Sequence, residues 1–209
     1  MPRPKESNAT ASALDEVQDQ HVAGNTAGNT SSLAPVPRTT PELPETVSPR
    51  PAEQQQVLDV LLNRTSANLK DAGKGRVLAH GMGGLGKTTL SASIVRLKEV
   101  REHFDRITFV SAGQEPAMLE LQRAMHLQLV GQPMEEKDTG TPESQRGVLE
   151  TAAAGKQWLV VLDDIWQAEH EQVLNFIDSG SCPNGKVFVT TRFSRLLPGY
   201  ETIRLQFEW

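Results

Sequence analysis

The residues with the clearest chemical potential are nine consecutive ones that follow the pattern G-x-x-x-x-G-K-T-T. They are Gly81, Met82, Gly83, Gly84, Leu85, Gly86, Lys87, Thr88 and Thr89. Glycines at this spacing let the backbone turn so that several N–H groups point into one concavity, which accepts phosphate oxygens. Lys87 adds a positive charge for the β- and γ-phosphates, and the Thr88 hydroxyl is suited to ligate Mg²⁺. The pattern therefore predicts a loop that binds the phosphates of a nucleotide.

The alternative interpretation of these residues is a glycine-rich turn with a chance lysine, so the flanking sequence decides between the two. Residues 76–80 form a short strand-like run directly before the loop. Leu90, Ile94 and Leu97 follow the loop at helical spacing, which predicts one helix that ends with basic residues near His103. A strand, a glycine loop and a helix in this order favour a phosphate-binding loop over a chance match.

Two aspartates follow residues 158–162, which are the most strand-like segment of the chain. The continuous apolar run of this segment is typical of a central parallel strand covered on both faces. Asp163 is predicted to be the acidic partner of a Mg²⁺ ion held by Thr88, and the alternative is a strand that simply runs into a turn. Asp164 is predicted either to orient or deprotonate an attacking water or to cap a helix, and both roles stay open.

Arg192 follows another predicted buried strand, residues 186–191. In open parallel sheets, ligands bind outside the carboxyl ends of the strands, so Arg192, Asp163 and the glycine loop are expected to converge on one crevice. There Arg192 is predicted to sense or stabilise a γ-phosphate, and the alternative is a surface arginine in a loop. Trp166, Cys182 and the five histidines are interpreted as packing or solvent-exposed residues. No spacing of cysteines and histidines is typical of a zinc site.

The composition argues against several classes of protein. The net charge of −5 and the pI near 5.6 are unlike a general nucleic-acid binder, which usually has a basic surface. Cys182 is the only cysteine, so an internal disulfide is impossible and a reducing compartment is expected. No apolar run approaches the ~20 residues of a membrane span, and the N-terminus lacks the apolar core of a secretory signal. We therefore expect a cytoplasmic protein without a membrane or nucleic-acid partner.

Two regions of different composition divide the chain. Residues 1–45 are expected to form a disordered tail of low complexity, since they are rich in small polar residues and proline and almost free of aromatic residues. Residues 46–209 are expected to form one domain, in which strand-like runs alternate with helical patterns such as Val57, Leu58 and Leu61. This alternation predicts a parallel sheet with helices on both faces. The predicted fold class is α/β, a three-layer P-loop NTPase core that follows the disordered tail.

Four segments, in their order and spacing, together resemble one protein family. They are residues 81–90, 103–111, 158–166 and 185–192. The family is that of the NB-ARC nucleotide-binding domains of plant disease-resistance proteins and of animal apoptosome-forming adaptors. The similarity extends over roughly residues 45–206, and its Leu-Asp-Asp-Ile-Trp and Thr-Thr-Arg blocks are more specific than the phosphate-binding loop alone.

The resemblance implies a regulatory switch in a defence or apoptosis type of signalling. Family members hold ADP when inactive, exchange it for ATP on a signal and then oligomerise or bind protein partners. The implied ligands are therefore ADP or ATP with Mg²⁺. Family members hydrolyse ATP slowly, so the resemblance implies at most a slow ATPase. Family members also place a short peptide against the adenine, and Val47 and Arg50 stand at the matching positions of this sequence.

Family members continue into a small helical bundle and a winged-helix domain, whereas this sequence ends at Trp209. The expectation is a nucleotide-binding core without its lid, whether as a fragment, an incomplete gene model or a minimal adaptor. An alternative function is an active P-loop ATPase of the partitioning or motor type, or a small kinase. Met82 stands where a partitioning ATPase carries a lysine, and no acceptor site for a kinase is recognisable. A non-functional fragment is the remaining alternative.

Overall fold

The computed structural model describes residues 33–46, 49–63, 75–138 and 140–207. Five strands occur within these ranges: β1 Arg76–His80, β2 Arg106–Gly113, β3 Trp158–Ile165, β4 Lys186–Thr191 and β5 Glu201–Arg204. They form one sheet in the order β2-β3-β4-β1-β5, and every neighbouring pair is parallel. The predicted α/β fold with a parallel sheet is confirmed. Because β1 lies between β4 and β5, the loop that follows β1 leaves the sheet away from its edges.

Six α-helices accompany the strands in the described part of the chain. They are α1 Pro51–Leu61, α2 Lys87–Ile94, α3 Lys98–His103, α4 Met118–Val130, α5 Pro142–Ala153 and α6 Ala168–Leu174. A short 3-10 turn at Glu136–Asp138 follows α4. Gly131 ends α4 in the left-handed conformation, and the Thr141 hydroxyl accepts the N–H of Ser144 at the start of α5. None of these helices is long and apolar enough to cross a membrane.

The two faces of the sheet carry separate hydrophobic clusters, which makes the fold three layers deep. Successive residues of β3 point to opposite faces, so Leu159 and Val161 lie in one cluster and Val160 and Leu162 in the other. The first cluster also contains buried residues of α1, α2 and α3, and the second contains buried residues of α4, α5 and α6. Because these four β3 side chains are fully buried, β3 is a central strand covered on both sides.

Phe188 is a fully buried side chain that β4 contributes to the first cluster. We expect Phe188→Ala to lower the free energy of unfolding by about 3–5 kcal/mol, because it removes buried apolar surface and leaves a cavity. The matched control Phe207→Ala, at a residue that is 61% exposed, should change this free energy by less than about 0.5 kcal/mol. Urea unfolding of both variants without nucleotide measures the difference. Equal losses in the two variants would contradict a central position for β4.

The segment after the glycine loop forms two helices, whereas its apolar spacing predicts one. Helix α2 ends at Ile94, and Leu97 adopts an extended conformation (φ −62°, ψ 134°) from which α3 begins. The break lets Val95 and Val100 both lie fully buried in the first cluster. In one continuous helix, residues five apart point about 140° away from each other, so these two valines would face different directions. Tertiary packing therefore overrides the helical pattern at this point.

The structure differs from the prediction of a disordered tail at the C-terminal end of that tail. Residues 33–41, which we call the N-terminal strap, run beside α3 and β2. The Ala34 N–H donates to the Arg101 carbonyl at 2.8 Å, and Arg101 Nε donates back to the Ala34 carbonyl at 2.8 Å. Ala34 is 2% exposed as a result. The composition of the strap gives no sign of these contacts, because hydrogen bonds to the backbone require no apolar residues. Residues 1–32 lie outside the described residues.

The strap also contacts β2, which lies at one edge of the sheet. The Thr39 hydroxyl donates to the carbonyl oxygen of Phe109 in β2. On the same residue, the Phe109 N–H donates to Oε1 of Gln128 in α4 at 2.8 Å. Side chains from the strap and from α4 therefore occupy both backbone hydrogen-bonding groups of Phe109, at a position where a further strand would otherwise pair.

Candidate functional site

The glycine loop leaves β1 after His80 and enters α2 at Lys87. Gly86, directly before α2, adopts a left-handed conformation (φ 81°) that residues with a side chain disfavour. At Gly81, a β-carbon would lie 2.8 Å from the carbonyl oxygen of Leu205, so glycine permits the close approach of the two backbones. The loop is therefore held between the segment after β5 and the N-terminus of α2, where free N–H groups and the helix dipole favour an anion.

Lys87 is the cation of this loop, and it is only 8% exposed. Its Nζ atom donates hydrogen bonds to the carbonyl oxygens of Gly81 and Met82, each 2.7 Å long. Burial, followed by the charge of Arg192, lowers the pKa of Lys87, while the two aspartates near the end of β3 raise it. The structure thus brings the loop lysine, Arg192 and both aspartates within electrostatic reach of one another.

Asp163 lies near the end of β3 and is 2% exposed. Its carboxylate accepts hydrogen bonds from Thr88 Oγ1 at 2.9 and 3.0 Å and from Thr190 Oγ1 at 2.7 Å. A third hydroxyl, that of Ser111 in β2, donates to Asp163 Oδ2 at 3.3 Å. Burial raises the pKa of Asp163, and the three hydroxyl donors oppose this rise. The structure therefore brings Asp163 into direct contact with the first turn of α2.

The donors around Thr88 and Asp163 fit a magnesium ion. Mg²⁺ prefers oxygen ligands, and proteins usually hold it with one or two carboxylates together with substrate phosphates and water. The Thr88 hydroxyl and the Asp163 carboxylate offer such oxygens beside the phosphate-binding loop. Within the described ranges, this place included, no group of three or more His, Cys, Asp or Glu residues could hold a metal. A cation at this place therefore needs phosphate oxygens to complete its coordination.

Asp164 has a left-handed backbone (φ 53°), at an irregularity in the pairing of β3 with β4. Its N–H donates to Thr190 Oγ1 at 2.9 Å, and its Oδ2 atom accepts the indole N–H of Trp166 at 3.1 Å. The residue that precedes α6 at the N-cap is Gln167, so Asp164 does not cap this helix. The helix-cap alternative is thereby excluded, and a role at an attacking water stays a prediction.

Arg192 is the first residue after β4. Its guanidinium lies over the indole of Trp166, with Cζ 4.7 Å from the ring centroid. The same group faces the phosphate-binding loop, because a β-carbon at Gly83 would lie 3.7 Å from Cζ of Arg192. Arg192 is solvent-exposed. Its contact with the Trp166 ring nevertheless places the guanidinium beside the loop. The alternative, a surface arginine in a loop, fits its exposure, but the contact with Trp166 gives its guanidinium a defined place beside the phosphate-binding loop, and a role at the γ-phosphate stays a prediction.

Two cavities flank the phosphate-binding loop. The first, of about 560 Å³, lies at the carboxyl ends of β1, β4 and β5, and its lining includes His80, Arg192 and Arg204. The second, of about 330 Å³, lies between α1 and α2, and its lining includes Arg50 and Thr89. Cavities of this size match those that bind small-molecule ligands. Their positions on either side of the loop leave room for the two ends of a nucleotide.

Arg50 stands directly before α1 and lines the second cavity. Its Nη1 atom forms an ion pair with Glu53 Oε1 at 2.8 Å, and its Nη2 atom donates to the Gln206 carbonyl at 3.0 Å. These contacts tie the start of α1 to the segment after β5 beside the cavity. Val47, the other residue predicted to lie against an adenine, is outside the described residues.

Two residues of the site were not singled out by their sequence pattern. His80, at the end of β1, is 9% exposed. Burial, followed by the charges of Arg204 and Lys87, lowers its pKa, which favours the neutral imidazole. Its position at the carboxyl end of a strand is the signal that could have identified it. Trp166 is the second residue. It was expected to be a packing or solvent-exposed residue, whereas its ring contacts the guanidinium of Arg192.

Residues 54–200 match the family model of the NB-ARC domain. The chain belongs to the NB-ARC family. The resemblance inferred from the four sequence segments is thereby confirmed. Family membership, together with the phosphate-binding loop and its surroundings, makes this NB-ARC domain a nucleotide-binding regulatory domain of the kind found in signalling proteins.

Curated relatives of this NB-ARC domain include plant proteins that are much longer. It is 28% identical over 150 residues to the disease resistance protein RGA2 of Solanum bulbocastanum. The matched region covers 70% of this chain and 15% of RGA2. It is 30% identical over 124 residues to the disease resistance protein RPM1 of Arabidopsis thaliana. The matched region covers 56% of this chain and 13% of RPM1. The chain therefore spans less than one sixth of the length of these relatives.

Solved structures with the same fold include two archaeal proteins. Cdc6p of Pyrobaculum aerophilum has a TM-score of 0.55 at 16% identity, over 78% of this chain and 47% of that chain. The ORC2 protein of Aeropyrum pernix, solved in ADPNP–ADP complexes, has a TM-score of 0.53 at 19% identity, over 78% of this chain and 49% of that chain. At such low identity these similarities support the P-loop NTPase fold and nothing more specific.

Proposed function

We propose that this NB-ARC domain binds ADP and ATP with Mg²⁺ and acts as the regulatory switch of a signalling protein, with slow ATP hydrolysis at most. The observation that carries the proposal is the contact between Thr88 and Asp163, because it joins the phosphate-binding loop to a buried carboxylate. A hydroxyl and a carboxylate beside such a loop are the donor set of a nucleotide-bound Mg²⁺. When bound, Mg²⁺ would neutralise negative charge on the β- and γ-phosphates.

The phosphates are proposed to lie on the N–H groups of the loop, with Lys87 and Arg192 as the two cations nearest to them. Both side chains are already directed at the loop, Lys87 at its carbonyl oxygens and Arg192 at Gly83. The base is proposed to lie in the second cavity, which Arg50 lines and which extends from the glycine loop along α2. This arrangement uses each of the predicted residues that the structure describes near the loop.

A switch requires two states that bind ADP and ATP with different affinity. The γ-phosphate is the only group that distinguishes the two ligands, so the residues around its proposed position determine the response. Arg192 supplies positive charge there, and Asp164 is proposed to orient an attacking water. Asp164 is held at both its N–H and its carboxylate, so its side chain has a defined orientation.

The wider role is proposed to be defence signalling, because the relatives of this domain are named disease resistance proteins. Protein partners or self-association, and a cytoplasmic location, belong to the same proposal. The acidic net charge of −5 supports a partner other than nucleic acid.

Thermal unfolding tests nucleotide binding directly. A ligand that binds only the native state stabilises it by about 2.7 kcal/mol at a concentration of 100 Kd, so millimolar ADP with Mg²⁺ should raise Tm by several degrees. AMP, which keeps the α-phosphate but lacks the β-phosphate that Lys87 is proposed to contact, should give a much smaller shift and serves as the control. Absence of any shift with ADP and with ATP would contradict the proposal. Turnover of ATP well above ~1 s⁻¹ would instead indicate a working ATPase.

A further inference from the structure

Trp166 lies one residue beyond the end of β3 and makes two polar or charged contacts with one ring. Its face lies under the guanidinium of Arg192, with Cζ of that residue 4.7 Å from the ring centroid. Its edge donates the indole N–H to Asp164 Oδ2 at 3.1 Å. A third neighbour, the ring of Phe193, packs edge-on at 5.9 Å between centroids and 72° between planes. Trp166 is therefore held at its edge and face while remaining half-buried.

The contact with Asp164 fixes the ring relative to the magnesium ligands. The N–H of Asp164 donates to Thr190 Oγ1 at 2.9 Å, and the Thr190 hydroxyl donates to Asp163 Oδ1 at 2.7 Å. The chain of contacts from Asp163 through Thr190 and Asp164 thus ends on the indole N–H. Because each link is a hydrogen bond to a part-buried or buried group, the ring has one preferred orientation.

Because the Arg192 guanidinium stacks on this ring, the orientation of the ring determines where the positive charge of Arg192 lies. An arginine side chain in solvent samples many rotamers, whereas a guanidinium stacked on an indole face is restricted to a narrow layer above the ring. That layer brings Cζ of Arg192 to the region beside Gly83 of the phosphate-binding loop. No ion pair joins Arg192 to Asp164 among the described residues, so the indole keeps the arginine available for an anion.

We propose that Trp166 is a positioning residue of the nucleotide site, which holds Arg192 beside the phosphate-binding loop and thereby sets the preference of the domain for ATP over ADP. This inference rests on the proposed function, because it requires that both nucleotides bind at the loop. Trp166 itself does not touch the nucleotide. It acts by placing Arg192, and the hydrogen bond from its indole N–H to Asp164 holds the ring in the required orientation.

The test measures Kd for ATP and for ADP, each with Mg²⁺, by calorimetry on the full chain. Trp166→Leu should lower the ratio of ATP to ADP affinity roughly threefold to tenfold, because a cation–π contact of this kind is lost. Trp166→Phe keeps an aromatic face but loses the N–H donor, so it should recover part of the ratio. In an Arg192→Gln background, Trp166→Leu should cause no further change, because the group that it positions is gone.

Phe193→Leu is the matched control, since Phe193 packs edge-on against the same indole but is not part of the guanidinium contact. It should leave the ratio within about twofold of the wild type. Thermal unfolding without nucleotide reports any general loss of stability in each variant. If Trp166→Leu proves too unstable to measure, Trp166→Phe with and without Arg192→Gln carries the same comparison.

Several results would overturn the inference. An unchanged ratio in Trp166→Leu alongside a changed ratio in Arg192→Gln would show that Arg192 is placed without the indole. Fully additive effects of the two substitutions would show that the residues act independently. An unchanged ratio in Arg192→Gln would remove the premise that this arginine distinguishes the ligands. If the wild type binds neither nucleotide, the proposed function fails first, and this outcome is distinct from the other three.

Discussion

Lys87→Ala is expected to abolish the stabilisation of the domain by ADP and Mg²⁺. The ammonium of Lys87 lies 2.7 Å from two carbonyl oxygens of the loop, so its charge is already inside the concavity that is proposed to hold the phosphates. A hydrogen bond to a charged group contributes about 1.5–3 kcal/mol, so the loss of two such bonds to phosphate weakens binding about 10²- to 10⁴-fold. The increase of Tm at millimolar ADP should therefore vanish.

Lys98→Ala is the control for this substitution. Lys98 is an exposed lysine on α3, whose only described ion pair, with Glu102, is 3.4 Å long and solvent-exposed. Its removal should leave the ADP shift intact. Lys87→Ala also deletes the hydrogen bonds to Gly81 and Met82, so its unfolding without nucleotide must be measured separately. A full ADP shift in a folded Lys87→Ala protein would place the nucleotide somewhere other than the loop.

Asp163→Asn is expected to remove the contribution of Mg²⁺ to nucleotide binding. The substitution keeps the size of the side chain and an oxygen that can accept from Thr88 and Thr190, but it removes the negative charge. Loss of a carboxylate that supports a bound metal typically weakens the metal at least about tenfold. In the wild type, replacing Mg²⁺ with EDTA should reduce the ADP shift, whereas in Asp163→Asn the shift should be the same small value with either. Calorimetric titration of ADP under both conditions gives the affinities.

The stability of Asp163→Asn without nucleotide should remain within about 1 kcal/mol of the wild type, because burial already disfavours the charged form and raises the pKa of Asp163. Thr88 offers a second, matched pair of variants. Thr88→Ser keeps the hydroxyl and should retain the effect of Mg²⁺, whereas Thr88→Val keeps the shape and should lose it. A persistent Mg²⁺ effect in both Asp163→Asn and Thr88→Val would exclude this donor pair as the metal site.

The strands and the phosphate-binding loop are the parts of the structure that local sequence predicts well. Residues 76–80 and 186–191 were expected as strands, and β1 and β4 have those same bounds. Long buried apolar runs such as β3 have few stable places other than the middle of a parallel sheet. The convergence of Asp163 and Arg192 on the loop follows from the same logic, because the carboxyl ends of parallel strands meet at one edge of the sheet.

The remaining features depend on contacts between residues that are distant in the sequence, and no local pattern encodes such contacts. The break after α2 follows from the need to bury both Val95 and Val100 in one cluster. The stacking of Arg192 on Trp166 joins two segments that only the pairing of β3 with β4 brings together. A tryptophan after two aspartates is equally compatible with simple packing, so its sequence position alone does not reveal the guanidinium that it meets.

The N-terminal strap has a practical consequence for producing this domain. A boundary drawn from composition alone would start a shortened protein near residue 46 and discard Thr39 together with Ala34. The carbonyl of Phe109 would then lose its hydroxyl donor and keep only the longer contact from Gln128 Nε2 at 3.3 Å, so this outer strand of the sheet would be less well covered against the same strand of another molecule. Open strand edges are a common route to aggregation. A shortened chain that begins before residue 33 would keep this edge covered and should stay monodisperse at higher concentration.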